Sequence, residues 1–519
     1  MDMLKYPVDT ASFQRIREEG YLYVDKTEYV YQLVRSGTFY FLGRPRRFGK
    51  SLLLSTLAAY FEGRRDLFHG LAIDRLQPEP WEEYPVLRLD LSAEAFTSGE
   101  SVGHILDDAL SVWEERFGIK QPGPTPSVRF KNVIRKAAES SGKRVVVLID
   151  EYDSPLSSAI DNKELFELYR EQLHGFYAVL KAMEDHIRFC ILTGVTRFGK
   201  VSVFSGLNNL RDITMENEFA GICGITKAEL HSYFSEGIEK LAKEEDWSVE
   251  ETYSELKRMY DGYHFSRCML DIYNPYSVLN ALMKRMIGSY WCASGVPTLL
   301  AKAIKSGDFD LQHLSDQSVS QEKLENLSAY QNDAVALFYQ TGYLTIKEFD
   351  SRRKRYTVGF PNREVEEGIL ENVLAYFIPK AADVPNTIID LANHLEEGEP
   401  EAFVKVMSAF LSGIPYTLGE RVSKYEKYYH TVFYCIMTLL GMQLKVDYPM
   451  AEGRPDVVVE TDKYIYIIEL KINGDAAAAM RQIEERHYAA PFAADPRSLI
   501  KIGIGFSPHH RTITSYEII

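Results

Sequence analysis

Runs of apolar residues separated by helical patterns dominate the first 200 positions of the chain. Four such runs lie within Thr38–Leu54, Pro85–Ser92, Val145–Ile149 and Ile187–Thr193. A short continuous apolar run is typical of a strand that is buried on both faces, as in a parallel sheet. The pattern therefore predicts an α/β fold whose N-terminal part is built on a parallel sheet.

The first run leads into a glycine-bearing turn, then into Gly49-Lys50-Ser51 and an apolar helix start. This layout is typical of a phosphate-binding loop, in which backbone N–H groups and a helix N-terminus face a polyphosphate. Lys50 is expected to reach the phosphates and Ser51 to ligate Mg²⁺. The common spacing requires glycine at position 44, but this chain has Arg44 there and its glycine at Gly43. The complete predicted nucleotide-binding set is Gly43, Arg44, Arg47, Gly49, Lys50, Ser51, Leu52 and Thr196.

The third run ends in Asp150 and Glu151. Ligands of open α/β sheets bind beyond the carboxyl ends of the strands, so Asp150 is expected to hold Mg²⁺ and Glu151 to act as catalytic base. An ordinary core strand that ends in an acidic surface patch would give the same pattern. Arg197 and Arg211, which follow the fourth run, could stabilise phosphate charge, contact a neighbouring subunit or lie in solvated loops.

These motifs resemble those of a known family, the AAA-ATPase-like proteins. The resemblance rests on YVDKT, RPRRFGKS, LIDEYDSP, TGVTRF and NPYS, in this order. It covers nearly the whole chain and implies a prokaryotic P-loop ATPase of the additional-strand class, related to the signalling ATPases called STAND. Within this family Arg44 is no departure, because the family's own loop resembles RPRRFGKS. Such proteins often carry a C-terminal PD-(D/E)XK nuclease-superfamily domain.

The C-terminal region contains a second constellation of charged residues. Asp456 opens an apolar run, and a turn at Thr461-Asp462 leads to a second run that carries Glu469 and Lys471. A two-residue hairpin loop would place Asp456 opposite Ile467, with all three charged side chains on one sheet face. Two carboxylates beside a lysine form a Mg²⁺ site suited to phosphodiester cleavage. A charged structural hairpin would show the same residues.

The resemblance to the nuclease superfamily adds three residues to this site. Glu426 is a candidate third acidic ligand, on a helix predicted to begin at Tyr425. Gln482 and Tyr488 resemble the glutamine–tyrosine element of RecB-like nucleases, with a longer spacing than that element usually has.

The middle of the chain has helical periodicity from Thr226 to about residue 304, and Thr226 with Glu229 forms a predicted capping box. The region resembles a helical lid, in which Tyr263 and His264 could touch the nucleotide or only pack the helices. Residues 333–365 suggest a winged-helix unit with a basic turn at 351–355. That turn could bind DNA phosphates, or it could be a solvated tip or a domain contact.

Composition is that of a globular protein: the 519 residues are 45% hydrophobic and 26% charged, with a net charge of −15. This charge argues against a surface that is basic overall, although a local basic groove is compatible with it.

The five cysteines have no metal-binding spacing and are expected to be reduced. The N-terminus has no secretory pattern and the apolar stretch at 431–442 is too short to span a bilayer. We therefore expect a cytoplasmic protein without a membrane partner.

The sequence thus predicts four domains: an AAA-like P-loop ATPase at 1–220, a helical lid at 221–315, a winged-helix-like connector at 316–420 and a PD-(D/E)XK nuclease-like domain at 421–519. ATP and Mg²⁺ are the expected cofactors, and nucleic acid, presumed to be DNA, is the expected partner of the last domain. The expected activity is nucleotide-dependent DNA cleavage, in defence or mobile-element biology. The alternative is a STAND-like switch or scaffold whose C-terminal domain binds without cleaving. Assembly into a homo-oligomer is also possible.

Overall fold

The computed structural model divides into two compact units. The first comprises Met1–Leu300 and Leu314–Glu366, and the second comprises Ala301–His313 and Glu367–Ile519. The predicted boundaries at 220, 315 and 420 divide the chain more finely and stay predictions. The structure describes residues 5–93, 95–198, 207, 209–292, 317–325, 334–377, 384–413, 432–433, 435–441, 445–447, 456–507 and 512–519.

A five-stranded parallel sheet forms the core of the first unit, in the order β2-β3-β4-β1-β5. The four strands predicted from the apolar runs are confirmed. The run Val145–Ile149 is buried throughout, because α3 and α6 pack against this strand. The strands are β1 (Phe39–Gly43), β2 (Val86–Asp90), β3 (Val145–Asp150), β4 (Ile187–Gly194) and β5 (Arg211–Asp212).

Helices precede, connect and cover these strands. Several begin with side-chain caps, as when the Thr125 hydroxyl accepts from the N–H of Val128 and the Asn162 side chain accepts from that of Leu165. The helices are α1 (Phe13–Glu18), α2 (Thr27–Ser36), α3 (Lys50–Phe61), α4 (Ala72–Leu76), α5 (Ser101–Arg116), α6 (Pro126–Ser141), α7 (Ser154–Ser158) and α8 (Lys163–Ala182).

A helical segment follows the sheet, as its periodicity predicts. The capping box of Thr226 and Glu229 is confirmed at the start of α9, and Ser248 with Glu251 forms a second one. The elements are β6 (Ile225–Thr226), α9 (Lys227–Glu244), α10 (Val249–Tyr260), β7 (Ile272–Tyr273) and α11 (Pro275–Lys284), with β6 paired to β7.

The predicted helix and hairpin of the winged-helix-like unit are present. The hairpin gains a third strand that the sequence pattern did not indicate, because β8 pairs with β10. The elements are β8 (Gln317–Ser320), α12 (Gln321–Glu325), α13 (Ala334–Thr341), β9 (Thr345–Asp350) and β10 (Arg355–Gly359). Helix α14 (Arg363–Phe377) then carries the chain from the first unit into the second.

The second unit contains a mixed sheet in the order β11-β12-β13-β14-β15, in which β13 and β14 are parallel and the other pairs antiparallel. The elements are α15 (Val384–Glu397), α16 (Pro400–Ser412), β11 (Lys445–Asp447), β12 (Val457–Glu460), β13 (Tyr464–Ile472), α17 (Ala476–Glu485), β14 (Ser498–Ser507) and β15 (Thr512–Ile518). Helix α17 packs across β13 and β14. None of the helices in the described ranges has the length and apolar character needed to traverse a bilayer.

Candidate functional sites

The loop between β1 and α3 has the backbone of an anion site. Gly49 is the N-cap of α3 and has φ 97°, and Arg47 has φ 65°. Arginine seldom adopts a left-handed conformation, so the loop holds Arg47 in a strained state of the kind that clusters at functional sites. The helix N-terminus behind the loop presents N–H groups and a partial positive charge. Gly49 thus ends the loop, and Lys50 and Ser51 begin α3. Their role toward phosphate and Mg²⁺ stays a prediction.

Lys50 lies inside this loop and is only 3% exposed. Its Nζ donates to the carbonyls of Arg44 and Pro45, both at 3.2 Å, and lies 3.4 Å from Oε1 of Glu151. The ammonium group thus bridges the loop and the end of the acidic strand. A triphosphate with several negative oxygens would compete with these neutral carbonyls for the same donor.

The acidic pair is held at the carboxyl end of β3. The Thr193 hydroxyl at the end of β4 donates to Oδ1 of Asp150, which also accepts the N–H of Glu151. Glu151 has φ 50°, a second strained residue at this site. Burial raises the pKa of Glu151, while Lys50 opposes that effect. A carboxylate with a raised pKa is better suited to accept a proton than an ordinary one.

Strand order explains how these residues meet. Strand β4 lies between β1 and β3. The loop after β1 and the acidic residues after β3 therefore lie on either side of the end of β4. This additional strand is the arrangement that the resemblance implied. Because parallel strands end at one edge, Lys50 and Glu151 come together although they are a hundred positions apart.

Asp153 is a buried residue of this site that the sequence analysis missed. Its carboxylate accepts the N–H groups of Val195 and Thr196 and the Thr196 hydroxyl. It thereby fixes the turn after β4, which carries Thr196. The signal was available in the sequence, because Asp153 follows the predicted acidic pair in the same DEYD motif.

Three predicted arginines are already engaged by protein groups. The buried Arg44 guanidinium donates to the carbonyls of Thr214 and Phe219. Arg197 forms ion pairs with Asp212 and Glu325, and Arg211 forms ion pairs with Glu216 and Glu218. A phosphate role for these side chains stays a prediction, which requires the present contacts to be exchanged.

Aromatic residues of the helical segment pack directly on the phosphate loop. Phe48 makes edge-on contacts with Tyr263 and Phe265, with ring centroids 4.8 and 5.4 Å apart. The Arg47 guanidinium lies over the ring of Tyr276 at 3.9 Å. His264 has a different position: it bonds to the Ile346 carbonyl and to Asp271. Of the two residues left open by the sequence, Tyr263 therefore contacts the loop and His264 contacts the hairpin.

An apolar cavity of about 100 Å³ adjoins Gly49. Its wall combines three parts of the first unit: the segment before α2, the first turns of α3, and the segment with α9 and α11. The lining includes Leu22, Val24, Lys26, Leu52, Ile222 and Leu279. Leu52, one of the predicted nucleotide-binding residues, thus lines this cavity beside the loop.

The charged residues of the second unit also converge, although the predicted strand register is wrong. Val457 pairs with Ile468 and Glu460 with Ile465, which places Asp456 beside Glu469 rather than opposite Ile467. The cause is a longer turn, in which the Thr461 hydroxyl accepts from the N–H groups of residues 463 and 464. A shift of two residues keeps every side chain on its predicted face.

Asp456 and Glu469 are joined through the backbone. The N–H of Asp456 donates to Oε2 of Glu469 at 3.1 Å, and the N–H of Leu470 donates to Oδ2 of Asp456 at 2.8 Å. Glu469 is fully buried, and burial together with the neighbouring Asp456 raises the pKa of its carboxyl group. Two close carboxylates of this kind attract a divalent cation.

Lys471 completes the cluster. Its Nζ donates to Oε1 of Glu469 at 2.9 Å and to the side-chain carbonyl of Gln482. Gln482 in turn donates to the Tyr488 hydroxyl at 3.3 Å. The structure therefore brings Asp456, Glu469 and Lys471 together with both residues of the glutamine–tyrosine element. Glu426 lies outside the described residues.

Comparisons with known proteins give a family for each of the two regions that contain these sites. Residues 7–204 match the model of the AAA-ATPase-like family, described as predicted AAA-ATPases, and residues 424–516 match that of the PD-(D/E)XK nuclease superfamily. An uncharacterized protein encoded in the vnfD 5' region of Azotobacter chroococcum mcd 1 is 31% identical over 528 residues, covering 100% of this chain and 99% of that protein. The chain belongs to the AAA-ATPase-like family and carries a C-terminal domain of the PD-(D/E)XK nuclease superfamily.

Proposed function

We propose that this protein binds and hydrolyses ATP with Mg²⁺, and that its nucleotide state controls metal-dependent cleavage of DNA by the C-terminal domain. The contact between Lys50 and Glu151 across β4 carries the ATP part of this proposal. It joins a phosphate-binding cation to a candidate base at the strand edge where ligands of such sheets bind.

The first site suits a magnesium nucleotide. The Ser51 hydroxyl and the Asp150 carboxylate are hard oxygen donors of the kind that Mg²⁺ prefers, and they would hold the ion. Bound Mg²⁺ would neutralise charge on the phosphates. The N–H groups of residues 47–51 would face the phosphate oxygens, and Lys50 would exchange its carbonyl partners for them. Glu151 would accept the proton of the attacking water.

The cavity beside Gly49 suits the nucleobase. A purine has apolar faces, and this cavity is lined mainly by aliphatic side chains such as Leu22, Leu52 and Leu279. Burial of such surfaces stabilises binding by roughly 25 cal/mol per Å². The position next to the loop fits a ligand whose phosphates occupy the loop itself.

The second site suits a metal-dependent nuclease. Asp456 and Glu469 supply adjacent carboxylate oxygens and would hold Mg²⁺, which would polarise a phosphodiester. Lys471 would stabilise the attacking water or the scissile phosphate. The side-chain carbonyl of Gln482 also accepts from the ammonium group of Lys471, so that Lys471 is oriented before substrate arrives.

The nuclease part is tested by Glu469→Gln, with Glu484→Gln as a matched control. Glu484 is an exposed residue of α17 that pairs with Lys501. Purified wild type and both variants would be incubated with Mg²⁺, with and without ATP, and with plasmid, linear duplex, single-stranded DNA or RNA. We expect wild type and Glu484→Gln to cleave DNA and Glu469→Gln to lose at least 100-fold in rate, because mutation of a metal ligand removes the charge that binds the ion.

Two results would count against cleavage of DNA. If wild type cleaves only RNA, the substrate assignment is wrong. If it cleaves none of the four substrates, with or without ATP, the C-terminal domain is a binding module and the protein is a nucleotide-dependent switch.

A further inference from the structure

The segment that follows α11 bonds to the phosphate loop. Nε1 of Trp291 donates to the carbonyl of Arg46 at 3.1 Å, and the indole is 5% exposed. Its ring also packs on Tyr343, with centroids 4.9 Å apart. A residue 245 positions away in sequence therefore determines the direction of one carbonyl in the loop.

That carbonyl belongs to the peptide between Arg46 and Arg47. A peptide unit is planar, and in the trans form its N–H points opposite to its C=O. Trp291 therefore also fixes the direction of the Arg47 N–H, in the part of the loop where Arg47 has its strained φ of 65°. The N–H groups of such loops are the donors for phosphate oxygens.

Trp291 is held by a buried carboxylate. Glu364 is fully buried, and its Oε1 accepts the N–H groups of Tyr290 and Trp291, while its Oε2 accepts the Ser277 hydroxyl at 2.7 Å. A buried carboxylate that accepts several hydrogen bonds is costly to disturb, because each lost bond leaves part of its charge unpaired. Glu364 lies in the first turn of α14, the helix that continues into the second unit.

We propose that Trp291 is a positioning residue for the phosphate loop and that, through Glu364, it couples occupancy of the loop to α14. The proposal rests on the proposed ATP binding and adds the route by which the nucleotide acts on the chain beyond the ATPase sheet. When phosphate requires the Arg47 N–H, it favours the peptide orientation in which Trp291 can donate. Coupling of this kind is reciprocal: the factor by which ATP strengthens the Trp291 bond is the factor by which that bond strengthens ATP binding, so removal of the bond must weaken ATP binding.

The test uses Trp291→Phe in the full chain, with Trp247→Phe as a matched control. Phenylalanine keeps an aromatic ring against Tyr343 but has no N–H, and Trp247 is an exposed residue between α9 and α10. ATP affinity would be measured by calorimetry with Mg²⁺, and hydrogen exchange of α14 would be measured with and without ATP. We expect Trp291→Phe to bind ATP about fivefold more weakly and to lose most of the ATP-dependent protection of α14. Trp247→Phe should behave like wild type.

The outcomes separate this proposal from the one it rests on. If wild type does not bind ATP, the proposed function fails and the coupling fails with it. If wild type binds ATP but α14 does not respond, or if Trp291→Phe keeps the full response, only the coupling is overturned. Should Trp291→Phe be unfolded, Glu364→Met gives the same test, because its side chain has a similar length but no oxygen to accept the N–H groups of Tyr290 and Trp291.

Discussion

At the scale of single residues, the contacts of Lys50 are those expected of a cation that binds phosphate in a loop of this kind. It is buried, it bonds two loop carbonyls and it contacts Glu151. Its position follows from three local features: the turn at Gly49, the start of α3 and the end of β3. Each of these could be predicted from the sequence, because each has its own local signature.

Lys50→Ala should lower the affinity for ATP by roughly 100-fold, since hydrogen bonds to charged groups contribute about 1.5–3 kcal/mol each. Lys131→Ala, which removes an exposed lysine of α6, is the matched control and should bind like wild type. Calorimetric titration with ATP and Mg²⁺ measures both. Wild-type affinity in Lys50→Ala would remove the basis for the phosphate-loop assignment.

Asp261 gives a second prediction at this scale. Burial raises its pKa to about 6, and the Asp271 carboxylate adds to the effect, while Lys257 and His264 oppose it. Because the folded protein favours the protonated form, this group destabilises the fold as pH rises from about 4 to about 6. Asp261→Asn removes that effect. The free energy of unfolding of the variant should therefore rise relative to that of wild type over this range, by roughly 2–3 kcal/mol above pH 6.

Denaturation of wild type and Asp261→Asn at several pH values between 4 and 8 measures this difference. If the difference in free energy of unfolding increases with pH and becomes constant above about pH 6, the titrating group is Asp261. A difference that is independent of pH would show that the carboxyl group does not titrate in this range.

At the scale of elements, the hairpin of β12 and β13 shows what sequence can and cannot supply. The strands, the sheet face of each charged residue and the turn were predictable from alternation and from Thr461-Asp462. The register was not, because the Thr461 hydroxyl binds two N–H groups and makes the turn two residues longer. Turns of either length satisfy the same pattern, and only the hydrogen bonds of the folded turn distinguish them.

Gly262 tests the contact between the helical segment and the strand hairpin of the first unit. It has φ 88°, and a Cβ there would lie 2.2 Å from the carbonyl oxygen of Pro361. Gly262→Ala should therefore destabilise the first unit by roughly 2 kcal/mol or more. Gly103→Ala is the control: it lies inside α5 with open space around a Cβ, so it should stabilise by about 0.5–1 kcal/mol.

Thermal unfolding of the two alanine variants, followed by circular dichroism, compares them directly. Equal midpoints would mean that the loop at Gly262 relaxes away from Pro361 and that this packing contributes little to the stability of the first unit.

At the scale of the whole molecule, the chain combines two clusters of charged residues, one in each compact unit. Their family assignment could be made from sequence, because each motif is local. The long-range bonds could not: Trp291 to Arg46 and Glu364 to Ser277 join positions with no shared pattern. The assignment of these two residues therefore depended on the structure.

We propose that ATP in the first site controls cleavage in the second. The direct measurement is the initial rate of Mg²⁺-dependent DNA cleavage by wild type and Lys50→Ala, each with and without ATP. We predict that ATP changes the wild-type rate at least about fivefold, a coupling of about 1 kcal/mol, and leaves the Lys50→Ala rate unchanged. Equal rates for wild type with and without ATP, in protein shown to bind the nucleotide, would contradict the account.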